Sequence, residues 1–350
     1  MSLPLEIWHT ILESIPQSDK HTLLSVALVS RVAYAAVLPL LYFDVQITGH
    51  EKQERFYEWI QSDNFNPSGY VREFTVIITH GDIARNHQHP HTYLALDARL
   101  ARMQRLHKLK LMLECKVGTY TAVMADAQPS EDTPWSLPEL RELRVDGNGI
   151  VKPDFLRFLS RCPAVESLEI PQWKKMPSPP ADILINLRQL SGNSATALAF
   201  LPGRHVEELE LTSDLGIMEV FSYLISNPDS AARIWSMSLP SPFYPTGPIG
   251  LENMLVLNLP HLKELRLCLN RLKLAKPHIS SLKRLEKLVF YIGGPLKQGD
   301  VRAQRLADSL KDTRLGMGST KPCLEFRYRT DNTTSQWRRT ADGAGLELAN

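Results

Sequence analysis

Leu262-Lys263-Glu264-Leu265-Arg266-Leu267-Cys268-Leu269-Asn270 decides the fold. Its apolar residues are spaced by three and then by two. The alternation at 265 and 267 is that of a strand, with two side chains on one face and Glu264 and Arg266 on the other. The same spacing recurs at Val71-Phe74-Val76, Leu106-Leu109-Leu111, Leu140-Leu143-Val145 and Val165-Leu168-Ile170. It continues at Leu187-Leu190, Val206-Leu209-Leu211, Ile234-Met237-Leu239 and Leu285-Leu288-Phe290. Successive units start 19 to 35 residues apart. A strand signature at such intervals marks a repeat architecture, in which one unit cannot bury its apolar face alone and neighbours stack into a continuous core.

The intervening segments read as crossovers. Asp154 to Leu159 and Ile217 to Leu224 have helical spacing, so the strands they join are expected to run parallel. Leu324-x-Phe326-x-Tyr328 reads as a terminal strand, and Trp337 to Thr340 with Leu346 to Leu348 as a weak hairpin across Asp342-Gly343. The asparagines at 148 and 270, with Asp214 at the equivalent place, are positioned to bond backbone groups of adjacent coils. Together these units resemble an irregular leucine-rich-repeat domain. The expected fold is therefore an α/β solenoid, a curved arc with a parallel sheet, over residues 49–330, with a tail or hairpin at 331–350.

Residues between the inward leucines are expected on the concave face, where a protein substrate would bind. The candidates are Lys108, Lys110, Arg144, Glu169, Glu208, Glu210, Arg266 and Lys287, accompanied by Glu142, Ser167, Ser236, Ser238, Glu264 and Val289. Their mixed sign argues against nucleic acid, which needs a basic track, and suits a charged protein partner. Pro240 to Gly250, with Phe243 and Tyr244, and the acidic stretch Asp126 to Pro138, with Trp135, interrupt the array as loops.

Residues 1–48 read differently. Pro4 fits the first turn of a helix that Pro16 ends. Leu5, Trp8 and Leu12 recur at helical spacing, and so do Ile7, Ile11 and Ile15, so the helix is apolar on two sides. Ser18 or Asp19 caps a second helix carrying Leu23, Leu24, Val26, Ala27 and Leu28. A third segment runs from Val32 to Leu38, before Pro39. Leu3-Pro4-x-Glu6-Ile7, Ile11-Leu12, Ile15, Asp19, Leu24 and Ala27-Leu28-Val29-Ser30-Arg31 together resemble an F-box, although Ala33 stands near where a Trp is common. The resemblance implies binding to the Skp-type adaptor, and through it to the cullin, of an SCF-type ubiquitin ligase. By position, Leu3, Pro4, Ile7, Ile11, Leu12, Leu24 and Leu28 are the adaptor-binding candidates. One apolar side is expected to pack on the start of the repeats, leaving the other for the adaptor.

Bulk properties exclude several classes. The 350 residues carry a net charge of +2, with 43% hydrophobic and 22% charged residues, ordinary values for a globular chain. Cys115, Cys162, Cys268 and Cys323 form no C-x-x-C pair, so reduced thiols in a cytoplasmic or nuclear protein are expected. The longest apolar run, Val32 to Phe43, is short of the about 20 residues of a membrane span. No phosphate loop or nucleophile elbow occurs. His80, Asp82, His87, His89 and His91 are the one metal-like group, but Pro90 and the polar context make a solvated loop the better reading. The expectation is a non-catalytic receptor with no cofactor and no metal. A non-degradative scaffold and a metal-dependent hydrolase are the alternatives.

Overall fold

The computed structural model describes residues 3–61, 67–79, 100–114, 136–146, 152–171, 178–213, 215–239, 259, 261–268, 284–293, 323–329, 336–339 and 346–349. In it six of the three-then-two signatures become a tight turn followed by a strand. Val71, Leu106, Leu140, Val165, Ile234 and Leu262 donate their backbone N–H to the carbonyl three residues earlier, at 3.0–3.3 Å. The acceptors belong to Ser68, Met103, Leu137, Cys162, Ala231 and Leu259, all buried. The turn satisfies buried backbone groups just where the chain enters the sheet. Every inward residue named above whose side chain is described is buried.

The chain divides into two compact units, Met1–Glu169 with Asp182–Asn186, and Ile170–Ala181 with Leu187–Asn350. This boundary lies within the repeats, not at residue 48.

The first unit begins with helices α1 (Leu5–Glu13), α2 (Lys20–Ala27) and α3 (Arg31–Leu41). Pro4 is the N-cap of α1 rather than a first-turn residue, and its carbonyl accepts from Trp8 N–H at 3.3 Å. The helix ends at Ser14, before Pro16. Asp19 caps α2 by accepting from Thr22 N–H and Oγ1, and Ser30 caps α3 by accepting from Ala33 N–H. Trp8, Leu12, Leu23, Ala27, Ala33, Ala36 and Val37 form their shared core. The buried side of the helices is thus spent mainly on one another, not on the repeats.

Helix α3 runs through Pro39, where the sequence suggests a stop. A proline costs a helix one N–H and crowds the preceding turn. Here Leu38 is anchored in the core, and Lys20 Nζ donates to the carbonyls of Leu40, Leu41 and Asp44 at 3.1–3.4 Å. That ammonium caps the final turn.

Strand β1 (Asp44–Thr48) follows directly and pairs in parallel with β2 (Glu73–Thr79). Then come β3 (Lys108–Glu114), β4 (Glu142–Asp146) and β5 (Ser167–Ile170), each parallel to its predecessor. Residues 44–48 therefore belong to the sheet rather than to the helical module. Val45, Phe74, Leu109, Leu143 and Leu168 stand in one register row, and Ile47, Val76, Leu111 and Val145 in the next. Helix α4 (His50–Gln61), which the sequence pattern did not reveal, packs against β1. Its Trp59 ring lies 4.9 Å from Tyr42, and its Phe56 ring 5.6 Å from Phe74. Helix α5 (Lys152–Ser160) buries Phe155, Phe158 and Leu159.

The second unit holds β6 (Gln189–Gly192), α6 (Ser194–Phe200), β7 (Glu208–Leu211), α7 (Ile217–Ser226), α8 (Pro228–Ala231), β8 (Ser236–Ser238), β9 (Glu264–Cys268), β10 (Lys287–Gly293) and β11 (Cys323–Arg329). From β6 to β11 the pairing is parallel and sequential. Strands β12 (Gln336–Arg339) and β13 (Leu346–Ala349) add the C-terminal antiparallel hairpin onto β11. Arg204 is buried and donates to the carbonyls of Pro179, Pro180 and Pro202, with Phe200 beneath its guanidinium. It fastens residues 179–180 to the end of α6.

Gly192 takes the place of the second inward strand residue on β6. A Cβ there would lie 2.6 Å from Ile170 O and from Thr196 Cβ. Gly192→Ala is expected to lower stability by about 1–3 kcal/mol through overpacking. Gly69→Ala, whose Cβ meets open space, should leave the denaturation midpoint unchanged. Equal midpoints for the two variants would refute the close approach.

Candidate docking surfaces

The helical module folds with one face inside and one outside. Apolar positions outnumber those its core can take. Trp8 and Leu12 of α1 and Leu23 and Ala27 of α2 turn inward. Leu3, Pro4, Ile7, Ile11, Leu24 and Leu28 are exposed. Leu24 is 55% and Leu28 88% exposed, so two leucines one turn apart stand in solvent. Of the seven adaptor candidates, six are exposed, and Leu12, at 3% exposure, lies in the core of the helical module. Leu5, Val29 and Tyr34 are exposed as well, and they are not among the seven adaptor candidates. Val29 follows the end of α2, and Tyr34 lies on α3 beside the buried Ala33 and Val37. An alanine-rich helix has no apolar stripe from which to read that register. Trp8 Nε1 is buried without a hydrogen-bond partner among the described residues.

The strand face is ordered in register rows. In the first unit they are Asp44, Glu73, Lys108, Glu142 and Ser167, then Gln46, Thr75, Lys110, Arg144 and Glu169. In the second they are Gln189, Glu208, Ser236, Glu264 and Lys287, then Ser191, Glu210, Ser238, Arg266 and Val289. The eight substrate-binding candidates thus fall four on each unit, on adjacent rows.

Most of their cations are already engaged. Lys108 pairs with Glu142. Arg144 reaches Glu169 at 3.1 Å and Asp146 at 3.8 Å. Arg266 and Lys287 both pair with Glu264, at 2.7 and 3.5 Å. Lys110 has no hydrogen-bond or ion-pair partner among the described residues. Glu208 accepts from Gln189 Nε2 and Glu210 from Ser191 Oγ, each at 3.0 Å.

Ser236, Ser238, Glu264 and Val289 were expected on this open face, but they are buried. Glu264 is drawn between its two cationic partners, Arg266 and Lys287. Asn148, Asp214, Asn270, Phe243, Tyr244, Trp135 and the His80–His91 group lie outside the described residues. Among the described residues no group of three or more His, Cys, Asp or Glu side chains is placed to hold a metal ion. The Cys162 thiol is buried and donates to the Phe158 carbonyl at 3.4 Å. No described helix is long and apolar enough to cross a membrane.

No protein-family model matches the chain, and no curated protein sequence matches it. Among solved structures, the chain is similar to the leucine-rich repeat-containing protein LegL7 from Legionella pneumophila. Identity is 14% and the TM-score 0.43, over 82% of this chain and 91% of that one. The repeat character of the sheet is carried by its own register rows.

The Lys108–Glu142 contact has a pH signature. The Glu142 carboxylate raises the Lys108 pKa above its ordinary 10.5, with partial burial opposing and the charges of Glu73 and Asp44 assisting. A raised ammonium pKa stabilises the fold fully below the unfolded value, and the contribution is lost as pH rises through the folded value. Stability measured from pH 9 upward should therefore fall more steeply in the native chain than in Glu142→Gln. Parallel pH profiles would show that the pair contributes nothing.

Proposed function

We propose that the chain is a non-catalytic receptor subunit of an SCF-type ubiquitin ligase. Its helical module docks to a Skp-type adaptor, and through it to a cullin. Its strand faces hold a protein substrate. The observation that carries this reading is the exposed apolar surface of α1 and α2: Leu3, Ile7, Ile11, Leu24 and Leu28 face outward while the helices have a core of their own. Surplus apolar surface of this kind marks a protein-interaction site. It supports docking over a role as a cap for the sheet, because a cap would bury these side chains within the chain. The same residues are those that the F-box resemblance picks out.

On this reading ubiquitin transfer belongs to the other ligase subunits. The receptor's contribution is effective concentration, because a tethered substrate lysine attacks in a quasi-intramolecular step. Such a complex works in the cytoplasm or nucleus.

Leu3→Asp with Ile7→Asp should abolish co-purification of a Skp-type adaptor with little change in thermal midpoint, since both positions are exposed. Leu12→Ala should instead lower stability by about 2–5 kcal/mol, as expected of a core leucine. Undiminished adaptor recovery with the double mutant would overturn the docking assignment.

A further inference from the structure

We infer that the outer edge of β13 takes up an extended protein segment as a further strand, and that this segment reads apolar, basic, apolar. The first observation is in the backbone. Strand β13 (Leu346–Ala349) pairs with β12 on one side, and no described strand pairs with its other side. Alternate residues of such a strand turn their N–H and C=O groups to opposite sides. Half of those groups in Leu346–Ala349 are therefore left for a partner. Edge strands are commonly guarded by lysine, proline or a bulge. Leu346-Glu347-Leu348-Ala349 contains neither residue, and its register against β12 runs unbroken from Gln336↔Ala349 to Arg339↔Leu346. An open edge of this kind is a template for strand addition.

The second observation is the register, which fixes what the segment must carry. Leu267, Phe290, Phe326, Trp337 and Leu348 stand in one row. The next place in that row calls for another apolar residue, and a slip of one residue would set a polar one there. In the alternate row Val289 is followed by Glu325, Arg338 and Glu347. The charges of these last three alternate in sign from strand to strand, and like charges directly opposite destabilise a pair. A lysine or arginine therefore fits beside Glu347, and an acidic residue does not. Apolar residues two apart, with a cation between them, satisfy both rows at once. A second copy of β13, paired symmetrically about Glu347, would supply a carboxylate where the row needs the cation, so the fitting partner is a different chain. Four residues of edge give a reversible grip.

That such a segment belongs to a ligase substrate rests on the receptor reading above; the strand pairing does not. The test uses the purified full chain and short fluorescent peptides, followed by anisotropy. One peptide alternates valine and lysine, and another valine and glutamate. A further one is the lysine peptide with every backbone nitrogen methylated, which keeps its side chains and removes its donors. The lysine peptide should bind and should protect the amides of Leu346–Ala349 from hydrogen exchange. The methylated peptide should bind about tenfold more weakly or worse, through the lost backbone hydrogen bonds. The glutamate peptide should also bind more weakly, and Glu347→Gln should close most of the gap between it and the lysine peptide. No binding of the lysine peptide, undiminished binding of the methylated one, protection confined to other strands, or an unchanged gap in Glu347→Gln would each overturn the inference. So would a dimer in which Leu346–Ala349 is protected without peptide. Adaptor recovery, governed by Leu3 and Ile7, is independent of all these outcomes, so the two proposals fail separately.

Discussion

Parallel in-register stacking is the constraint on which the rest of the structure depends. A strand spaced about 4.8 Å from its neighbour places like positions side by side, so an inward residue on one strand must be compatible with the same position on the next. Val45, Phe74, Leu109, Leu143 and Leu168 form one such row, and Leu190, Leu209, Met237, Leu265 and Leu288 another. The turns ahead of the strands keep the rows aligned. Six of them close with an N–H to a carbonyl three residues back, which fixes where the chain enters the sheet. A single inserted residue in such a strand would move its apolar set to the opposite face.

This constraint explains why the repeat sheet was legible. Its rows demand leucine-like residues at fixed offsets, and period and offset both survive in the sequence. The resemblance missed one further offset. Met103, Leu137, Cys162, Leu184 and Leu259 lie three residues before the first apolar position of their units, and all are buried. Their side chains vary from sulfur-bearing to branched, which hides the pattern unless the turn is known. Helix α4 was hidden for another reason. Its Phe56, Trp59 and Ile60 are set among many charged residues, so the segment reads as polar.

The exposed apolar surface of the helical module was legible in kind and less so in detail. Excess apolarity in residues 3–31 is a property of composition, and it required some surface to remain uncovered. Which residue faced which way depended on helix register. Ile7 with Ile11 and Leu24 with Leu28 could be read as i, i+4 pairs, whereas Leu12 belongs to the pair formed with Trp8. On the strand faces, residue identity was legible and ionic pairing was not. The alternating signs seen along the sequence are largely cancelled within each face, and only the register shows which charges remain.

The aromatic chain from Tyr42 through Trp59 and Phe56 to Phe74 carries a mechanical consequence. Tyr42 closes α3, while Phe74 sits in the core of β2. Between them, ring centroids are separated by 4.9, 5.9 and 5.6 Å. With α3 running almost directly into β1 and Lys20 clasping that junction, there is no slack segment at which the helices could swivel on the first strands. The orientation of the helices and that of the charged rows on the first strands are thus set together.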